Sequence, residues 1–216
     1  MSELRMREAV IAAAREMNAL GINRGMSGNV SMRYVTDDFD GYLITPTGLP
    51  YAQTMPEDIV AMTLAGKAHG RRLPSSEWRF HRDIYGSRGD AGAIVHTHAP
   101  FATTLACMNR GIPPFHYMVA IAGGRDIRCA PYATFGTQEL SDRAVAALAD
   151  RRACLLAHHG MIATGATLEA ALAVALEVET LAEMYWRVLQ HGEPELLSDA
   201  EMDVTLEKFQ TYGQPR

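Results

Sequence analysis

Residues 29–48 read NVSMRYVTDDFDGYLITPTG, which is two strand-like runs on either side of a turn. The runs, 29–34 and 41–48, are short and contain β-branched and aromatic side chains, and the segment TDDFDG at 36–41 is rich in turn-forming residues. This pattern predicts a β-hairpin, whose strands pair antiparallel. A further short strand, DIVAMTL, is predicted at 58–64.

Helical patterns surround this hairpin and alternate with more short strands. The longest, at 167–190, carries a broad apolar stripe at helical spacing. Ser75 and Ser76 precede another helical pattern and are candidates to cap its first turn. Ser198 and Glu201 have the spacing of a capping box, which predicts the start of a last helix. The other predicted helices cover 3–20, 77–89, 100–111 and 137–150, and the other predicted strands cover 93–99, 127–132 and 153–165, the last interrupted at its HHG turn.

Helices at both ends of a chain and between short strands are typical of a three-layer α/β (α+β) sandwich. We expect a mostly antiparallel central sheet covered by helices. The length of 216 residues suits one domain, and no linker or repeat divides the sequence. The expected organisation is therefore a single domain over 1–216.

Composition excludes several classes of function. Lys plus Arg is 20 and Asp plus Glu is 25, with no basic block, so nucleic acid is not expected as a partner. The first 20 residues carry charges every few positions, which argues against a signal peptide or a membrane span. The three cysteines lack C-x-x-C spacing, so neither a disulfide framework nor a thiolate metal site is expected. A cytoplasmic protein fits these features best.

Two histidines stand two residues apart in the strand predicted at 93–99. Because side chains alternate along a strand, His96 and His98 point the same way and can present two imidazoles to one point. The HHG triplet at 158–160 supplies a third imidazole, and Glu77 offers an oxygen ligand or a base. Three histidines with an open position are typical of a catalytic zinc or a related divalent ion. The alternative is a pair of histidines at a solvated strand end.

Other features have simpler interpretations. His69, His81 and His191 fall on polar or helical stretches, where we expect surface residues. Three loops, GMSGNVS at 25–31, TPTG at 45–48 and SSE at 75–77, each have ordinary turn chemistry. Together they predict an anion cradle, because backbone N–H groups and hydroxyls bind phosphate without a basic cluster. No nucleotide-binding glycine motif is present, which favours a small phosphorylated substrate.

Seven motifs, in order and over almost the whole chain, resemble the class II aldolase and adducin-head family, and within it the aldolases of ketose 1-phosphates. The motifs are GMSGNVS (25–31), LITPTGLPY (43–51), LPSSEWRFH (73–81), AIVHTHA (93–99), FHYMVAIAGG (115–124), CAPYATFGT (129–137) and LLAHHGMIA (155–163).

This resemblance implies a metal centre and its catalytic residues. His96, His98 and His159 would hold Zn²⁺, with Mn²⁺ or Co²⁺ as alternatives. Glu77 would be a fourth ligand that moves away when substrate binds and then acts as general acid and base. Tyr117 would reach into the active site of an adjacent subunit, so that a homotetramer with C4 symmetry has its active sites at subunit interfaces.

The resemblance also implies where the substrate lies. The aldehyde side would be lined by Phe135 and Tyr212. Met26 departs from the family pattern, which has threonine there, and Ser27 is a candidate to replace the missing hydroxyl. The substrate phosphate would be bound by Asn29, Ser27, Thr47, Gly48, Ser75 and Ser76.

The implied activity is that of a lyase in carbohydrate metabolism, which cleaves a ketose 1-phosphate reversibly to dihydroxyacetone phosphate and a short aldehyde. Candidate substrates are L-fuculose 1-phosphate and the 5-deoxypentulose or 5-methylthioribulose 1-phosphates. Alternatives within the family are a sugar-phosphate 4-epimerase and a methylthioribulose-1-phosphate dehydratase. A non-catalytic, adducin-like module is disfavoured because every metal ligand is retained. On simpler interpretations Glu77 favours a helix N-terminus and Tyr117 is an ordinary buried aromatic.

Overall fold

The structure, a computed structural model, describes residues 1–210. The strands are β1 (Asn29–Thr36), β2 (Phe39–Ile44), β3 (Val60–Thr63), β4 (Ala68–His69), β5 (Ala93–Thr97), β6 (Arg128–Ala130), β7 (Ala153–Leu156) and β8 (Gly160–Gly165). The α-helices are α1 (Glu3–Ala19), α2 (Trp78–Ser87), α3 (Pro100–Cys107), α4 (Gln138–Ala147), α5 (Leu168–Leu189) and α6 (Asp199–Phe209). Short 3-10 helices cover Pro56–Asp58 and Tyr117–Ala122.

The strands form one mixed sheet in the order β4-β3-β2-β1-β5-β8-β7-β6. The predicted hairpin is confirmed, since β1 and β2 pair antiparallel from Ser31↔Ile44 to Thr36↔Phe39. β6 and β7 pair parallel, whereas the other neighbouring strands pair antiparallel. The segment predicted at 153–165 is a second hairpin, with β7 and β8 on either side of the HHG turn.

Helices cover both faces of this sheet, as the three-layer prediction requires. On one face, α1, α3 and α5 enclose a core that includes Val10, Val95 and Val178. On the other face, α2 and α4 enclose a core that includes Ile94 and Phe80. Ile94 and Val95 are neighbours in β5 but belong to opposite cores, because successive side chains point to opposite faces. β5 is therefore buried on both faces, which explains its continuous apolar run.

Two predicted helix caps have different outcomes. The capping box of Ser198 and Glu201 is confirmed at the start of α6. The predicted cap of α2 is wrong in its residue, because Glu77 occupies the N-cap position and its side chain caps no backbone N–H of the described chain. Ser75 Oγ instead accepts a hydrogen bond from the Glu77 N–H, at 3.3 Å. Among residues 1–210, no helix combines the length and apolar character needed to cross a bilayer.

Candidate active site

Three imidazole rings meet where the end of β5 lies beside the turn between β7 and β8. His96 lies near the end of β5 and His98 directly follows that strand, while His159 lies in the turn between β7 and β8. β5 and β8 are antiparallel neighbours, and this pairing brings the turn beside His98. The three ring centroids lie 4.8 to 5.0 Å apart in edge-on pairs. One ligand atom from each ring lies within 4.8 Å of the other two, which is a group able to hold a metal ion.

A glycine permits this close approach. A Cβ atom built on Gly160 would lie 2.4 Å from the carbonyl oxygen of Thr97 and 3.0 Å from His98 Cδ2. Real side chains do not approach a backbone oxygen so closely, and the oxygen cannot move without moving β5. The glycine of the HHG triplet is therefore needed for His98 and His159 to share one point.

The hydrogen bond at the back of His96 directs its other nitrogen into the site. His96 Nδ1 lies 2.9 Å from the carbonyl oxygen of Met161, which can only accept, so Nδ1 carries the hydrogen. In the neutral ring, Nε2 then presents a lone pair toward His98 Nε2 at 3.2 Å and Glu77 Oε2 at 3.0 Å. This arrangement of a backbone carbonyl behind a histidine is common where histidines bind metals.

Glu77 closes the fourth side of the cluster. It precedes the first turn of α2, and its side chain is almost fully buried. Oε2 accepts a hydrogen bond from Asn29 Nδ2 at 2.9 Å, whereas Oε1 accepts no well-directed hydrogen bond from residues 1–210, although His159 Nε2 lies 3.1 Å away. A buried carboxylate oxygen without a donor is costly unless a cation faces it.

The pKa values of these groups reflect the same electrostatics. Burial raises the pKa of Glu77, but its electrostatic interactions with the adjacent His96 and His159 rings outweigh burial and hold this pKa well below its usual range. Burial lowers the pKa of His96, but the Glu77 carboxylate outweighs burial and raises it. Burial, together with the charges of His96 and His159, lowers the pKa of His98 to about 4. One buried carboxylate among three imidazoles is thus stabilised by positive charge, and this donor set fits a divalent cation.

The prediction that His81 is a surface residue is wrong. Its side chain is 0% exposed, because it lies on the face of α2 that packs against β1. Its ring nitrogens contact Ser31 Oγ at 2.7 Å and Asn29 Oδ1 at 2.5 Å, so its polar atoms are satisfied within the core. His69 and His191 are exposed, as predicted.

A cavity of about 400 Å³ opens above the cluster. Of the residues predicted to bind phosphate, Ser27 and Ser76 line its wall. Asn29 contacts Glu77 beneath it, and Ser75 contacts the Glu77 backbone. The lining residues are Met26, Ser27, Ser76, Glu77, His98, Tyr132, Ala133, Phe135, His158 and His159.

Thr47 and Gly48 lie outside that lining, although their loop adjoins it. The Thr47 N–H donates to the carbonyl of Leu73 at 3.1 Å, and Pro46 pairs with Pro74 in an isolated β-bridge. The loops at 45–48 and 75–77 are therefore neighbours, as the anion-cradle prediction requires.

The predicted aldehyde-side residues have different outcomes. Phe135 lines the cavity and is 65% exposed, whereas Tyr212 lies outside the described residues. Tyr117 is 52% exposed, begins a 3-10 helix and is not among the residues that line the cavity of its own chain. Sequence reasoning missed Tyr132 as a lining residue, and its place in the CAPYATFGT segment beside Phe135 is the signal that could have found it.

The fold and the site together define a mixed α/β protein in which three histidines form a group that could hold a metal ion. The chain belongs to the family of the class II aldolase and adducin N-terminal domain, whose model matches residues 8–186. The resemblance seen in the sequence is thereby confirmed.

Individual relatives agree with this assignment. The chain is 59% identical over 212 residues to a 5-methylthioribulose-1-phosphate/5-deoxyribulose-1-phosphate aldolase of Rhodospirillum rubrum, covering 98% of this chain and 94% of the relative. It is 51% identical over 214 residues to an L-fuculose phosphate aldolase of Escherichia coli O6:H1 (strain CFT073), covering 99% and 98%. A solved L-fuculose 1-phosphate aldolase superposes with a TM-score of 0.89 at 39% identity, covering 95% of this chain and 96% of the other. These relatives are aldolases, which are lyases.

Proposed function

We propose that the protein is a metal-dependent aldolase that cleaves the bond between C3 and C4 of a ketose 1-phosphate, reversibly, to dihydroxyacetone phosphate and a short aldehyde. The observation that carries the proposal is the convergence of His96, His98 and His159 on Glu77, whose Oε1 accepts no well-directed hydrogen bond from residues 1–210, at the floor of the cavity. The names of the relatives support the substrate class.

The three histidines and Glu77 would hold the metal, which we propose to be Zn²⁺. Neutral imidazoles with one carboxylate and no thiolate are typical of an accessible catalytic zinc, and Mn²⁺ and Co²⁺ accept the same ligands. When bound, the ion supplies Lewis-acid stabilisation of the negative charge that develops on the substrate carbonyl oxygen.

Glu77 is the proposed general acid and base. Its Oε2 is held by the Asn29 amide, so Oε1 is the oxygen available to take and return the proton at substrate C3. A base positioned in this way typically contributes about 10²- to 10⁴-fold to the rate. The Glu77→Gln variant is expected to lose proton exchange at this carbon, measured by deuterium incorporation into dihydroxyacetone phosphate. Glu195→Gln, at an exposed site, is the matched control.

The substrate phosphate is proposed to bind to neutral donors rather than to lysine or arginine. Ser27 and Ser76 line the cavity and Asn29 and Ser75 lie directly behind it, with Thr47 and Gly48 on the adjoining loop. A cradle of N–H and hydroxyl donors binds an anion without a countercharge, which agrees with the net charge of −5. Ser27 is proposed to supply the hydroxyl that is absent at Met26.

Tyr117 is proposed to act in a neighbouring subunit, as the group that takes the proton of the C4 hydroxyl during cleavage. The side chain is half-exposed and is not part of the lining of its own cavity, which supports a role across an interface. The assembly is proposed to be a closed ring, because such a ring gives every cavity one such tyrosine. The resemblance to the family implies that this ring is a C4 homotetramer.

Subunit mixing tests this arrangement. Chains with Glu77→Gln and chains with Tyr117→Phe are each expected to be nearly inactive, but when they are co-expressed in equal amounts about a quarter of the sites combine two intact residues. Recovered cleavage activity near that fraction supports a shared site. No recovery of activity, or a loss of cleavage in Tyr132→Phe with none in Tyr117→Phe, would show that the group that takes the C4 hydroxyl proton lies within the chain's own cavity.

The substrate itself is proposed to be a 5-deoxypentulose or 5-methylthioribulose 1-phosphate, with L-fuculose 1-phosphate as the second candidate. Met26, Tyr132 and Phe135 give the cavity an apolar rim suited to a methyl or thioether end. Such a pocket distinguishes one methylene by only about 1 to 3 kcal/mol, so kcat/KM must be compared directly.

The deciding assay measures release of dihydroxyacetone phosphate from a panel of these ketose 1-phosphates by the metal-loaded protein. Release from at least one sugar with a preference between them supports the proposal. Formation of an epimer or a dehydrated product without dihydroxyacetone phosphate would show that the chain catalyses a different reaction of this family.

The three cysteines, all free within residues 1–210, support the proposal of a cytoplasmic location.

A further inference from the structure

Two rows of polar side chains face each other beneath the three histidines of the candidate site. The first row belongs to α2 and to its N-cap residue, Glu77. Glu77, His81 and Tyr85 follow one another at intervals of four residues and therefore lie on the same side of the helix. Asn29 and Ser31 are two residues apart on β1 and share one face of that strand. All five are buried, so the two rows interlock inside the core between helix and sheet.

The rows are joined by a continuous series of hydrogen bonds. Tyr85 Oη lies 2.8 Å from Ser31 Oγ, which lies 2.7 Å from His81 Nδ1. His81 Nε2 lies 2.5 Å from Asn29 Oδ1, and Asn29 Nδ2 lies 2.9 Å from Glu77 Oε2. The series runs from a phenol at its inner end to the carboxylate of the active site.

The chemistry of the donors fixes the direction of every bond in this series. Because the Glu77 carboxylate can only accept, Asn29 must donate through Nδ2 and turn Oδ1 toward His81. His81 must then donate through Nε2, which leaves Nδ1 to accept the Ser31 hydroxyl hydrogen. Ser31 in turn accepts from Tyr85. Burial lowers the pKa of His81 to about 3, which keeps the ring neutral. The contact with Asn29 Oδ1 then places its hydrogen on Nε2.

We propose that His81 is a positioning residue, which locks the Asn29 side-chain amide so that its N–H groups face Glu77 and the substrate phosphate. This inference deepens the proposed function and rests on it for the phosphate. His81 occupies the amide oxygen of Asn29 and so prevents the amide from turning over. An amide held in this way offers only donors, which suits a carboxylate or phosphate oxygen and rejects a group that needs an acceptor.

The first test is spectroscopic and does not depend on turnover. In long-range ¹H–¹⁵N correlation spectra of the zinc-loaded protein, His81 should show its hydrogen on Nε2 and no titration between about pH 6 and pH 8. The side-chain amide hydrogens of Asn29 should also be protected from exchange. A hydrogen on Nδ1, or a ring that titrates in this range, would overturn the inference.

The second test uses two substitutions at the same buried position. The amide nitrogen of glutamine reaches about as far as imidazole Nε2, whereas that of asparagine reaches only as far as Nδ1. His81→Asn should therefore lower kcat/KM about 10- to 100-fold, as is usual when the partner that orients a site residue is lost. It should weaken competitive inhibition by inorganic phosphate by a similar factor and expose the Asn29 amide to exchange.

His81→Gln is the matched control and should recover most of these losses. Both variants lose the same imidazole from the core, so their melting temperatures should fall together. Equal loss in both variants, or loss in neither, would reduce His81 to a packing role and overturn the inference.

The two proposals fail in different ways. If the wild-type protein releases no dihydroxyacetone phosphate from any ketose 1-phosphate, the aldolase proposal fails, and the His81 tautomer and Asn29 protection still decide the positioning role. If the wild-type protein is active but its His81 tautomer is wrong, only the positioning role fails.

Discussion

The contact between Gly160 and β5 gives the sharpest quantitative prediction. In Gly160→Ala the new methyl group would lie 2.4 Å from the Thr97 carbonyl oxygen, whereas ordinary contacts begin at 3.4 Å. The turn that carries His159 must therefore move about 1 Å away from the strand end that carries His98. Metal sites tolerate errors of only about 0.2 Å in ligand distance. The displacement is several times larger than this tolerance.

The expected losses follow from that displacement. Overpacking a buried contact typically costs about 1 to 3 kcal/mol of folding free energy. For a chain of this size, that corresponds to a melting temperature lower by about 2 to 12 °C. A misplacement of about 1 Å at a catalytic group can lower the rate by about 100-fold. Metal content should fall below one ion per chain in the same variant.

Three measurements on one preparation check this prediction: metal content by elemental analysis, melting temperature by calorimetry, and kcat/KM for release of dihydroxyacetone phosphate. Gly86→Ala is the matched control, because among the described residues a Cβ at that position in α2 meets nothing within 4 Å. That variant should gain about 0.5 to 1 kcal/mol from the better helix propensity of alanine. A Gly160→Ala protein with full metal content and wild-type activity would refute the claim that this glycine sets the ligand geometry.

Three further predictions concern metal, pH and helix capping. Removing the metal with a chelator should lower the melting temperature by about 8 to 16 °C, since an ion at about 1,000 times its Kd adds about 4 kcal/mol; no change would argue against a bound ion. Burial raises the pKa of Asp83, but hydrogen bonds from Arg82, Ser141 and Gln138 outweigh burial and lower it. The ionised Asp83 carboxylate therefore stabilises the folded protein above its unfolded pKa near 4, and this stabilisation is lost as pH falls through the lower folded pKa. The free energy of unfolding in urea should depend less on pH in this window for Asp83→Asn than for the wild-type protein. Ser198→Ala breaks the capping box of α6 and should cost about 1 kcal/mol, with faster hydrogen exchange confined to that helix.

Local patterns in the sequence predicted most elements of the fold. The β-branched and aromatic runs around the turn in 29–48 and the apolar stripe in 167–190 each depend on neighbours a few residues apart, and both elements are present. The alternation of side chains along a strand placed His96 and His98 on one side of theirs. The segment at 153–165 was only partly predicted, because its HHG turn was seen but its reversal into a hairpin was not.

The tertiary structure alone revealed the roles of residues whose partners are distant in sequence. A histidine on a helix is expected at the surface, but His81 lies on the face of α2 that packs against β1, where Ser31 and Asn29 satisfy its nitrogens. Gly160 in an HHG turn gives no sign of its contact with Thr97, about 60 residues away, because that contact exists only once β5 and β8 have paired.

The residue types and their local spacing thus determined what chemistry this chain can offer: three imidazoles, a carboxylate and loops of neutral donors. The pairing of strands across the sheet determined which of these groups meet and which nitrogen of His96 faces the cluster. It also determined which oxygen of Glu77 accepts the Asn29 amide. The reason is physical. Periodicity constrains the directions of side chains within one element, whereas the distances between elements depend on packing and hydrogen bonds that form only in the assembled core.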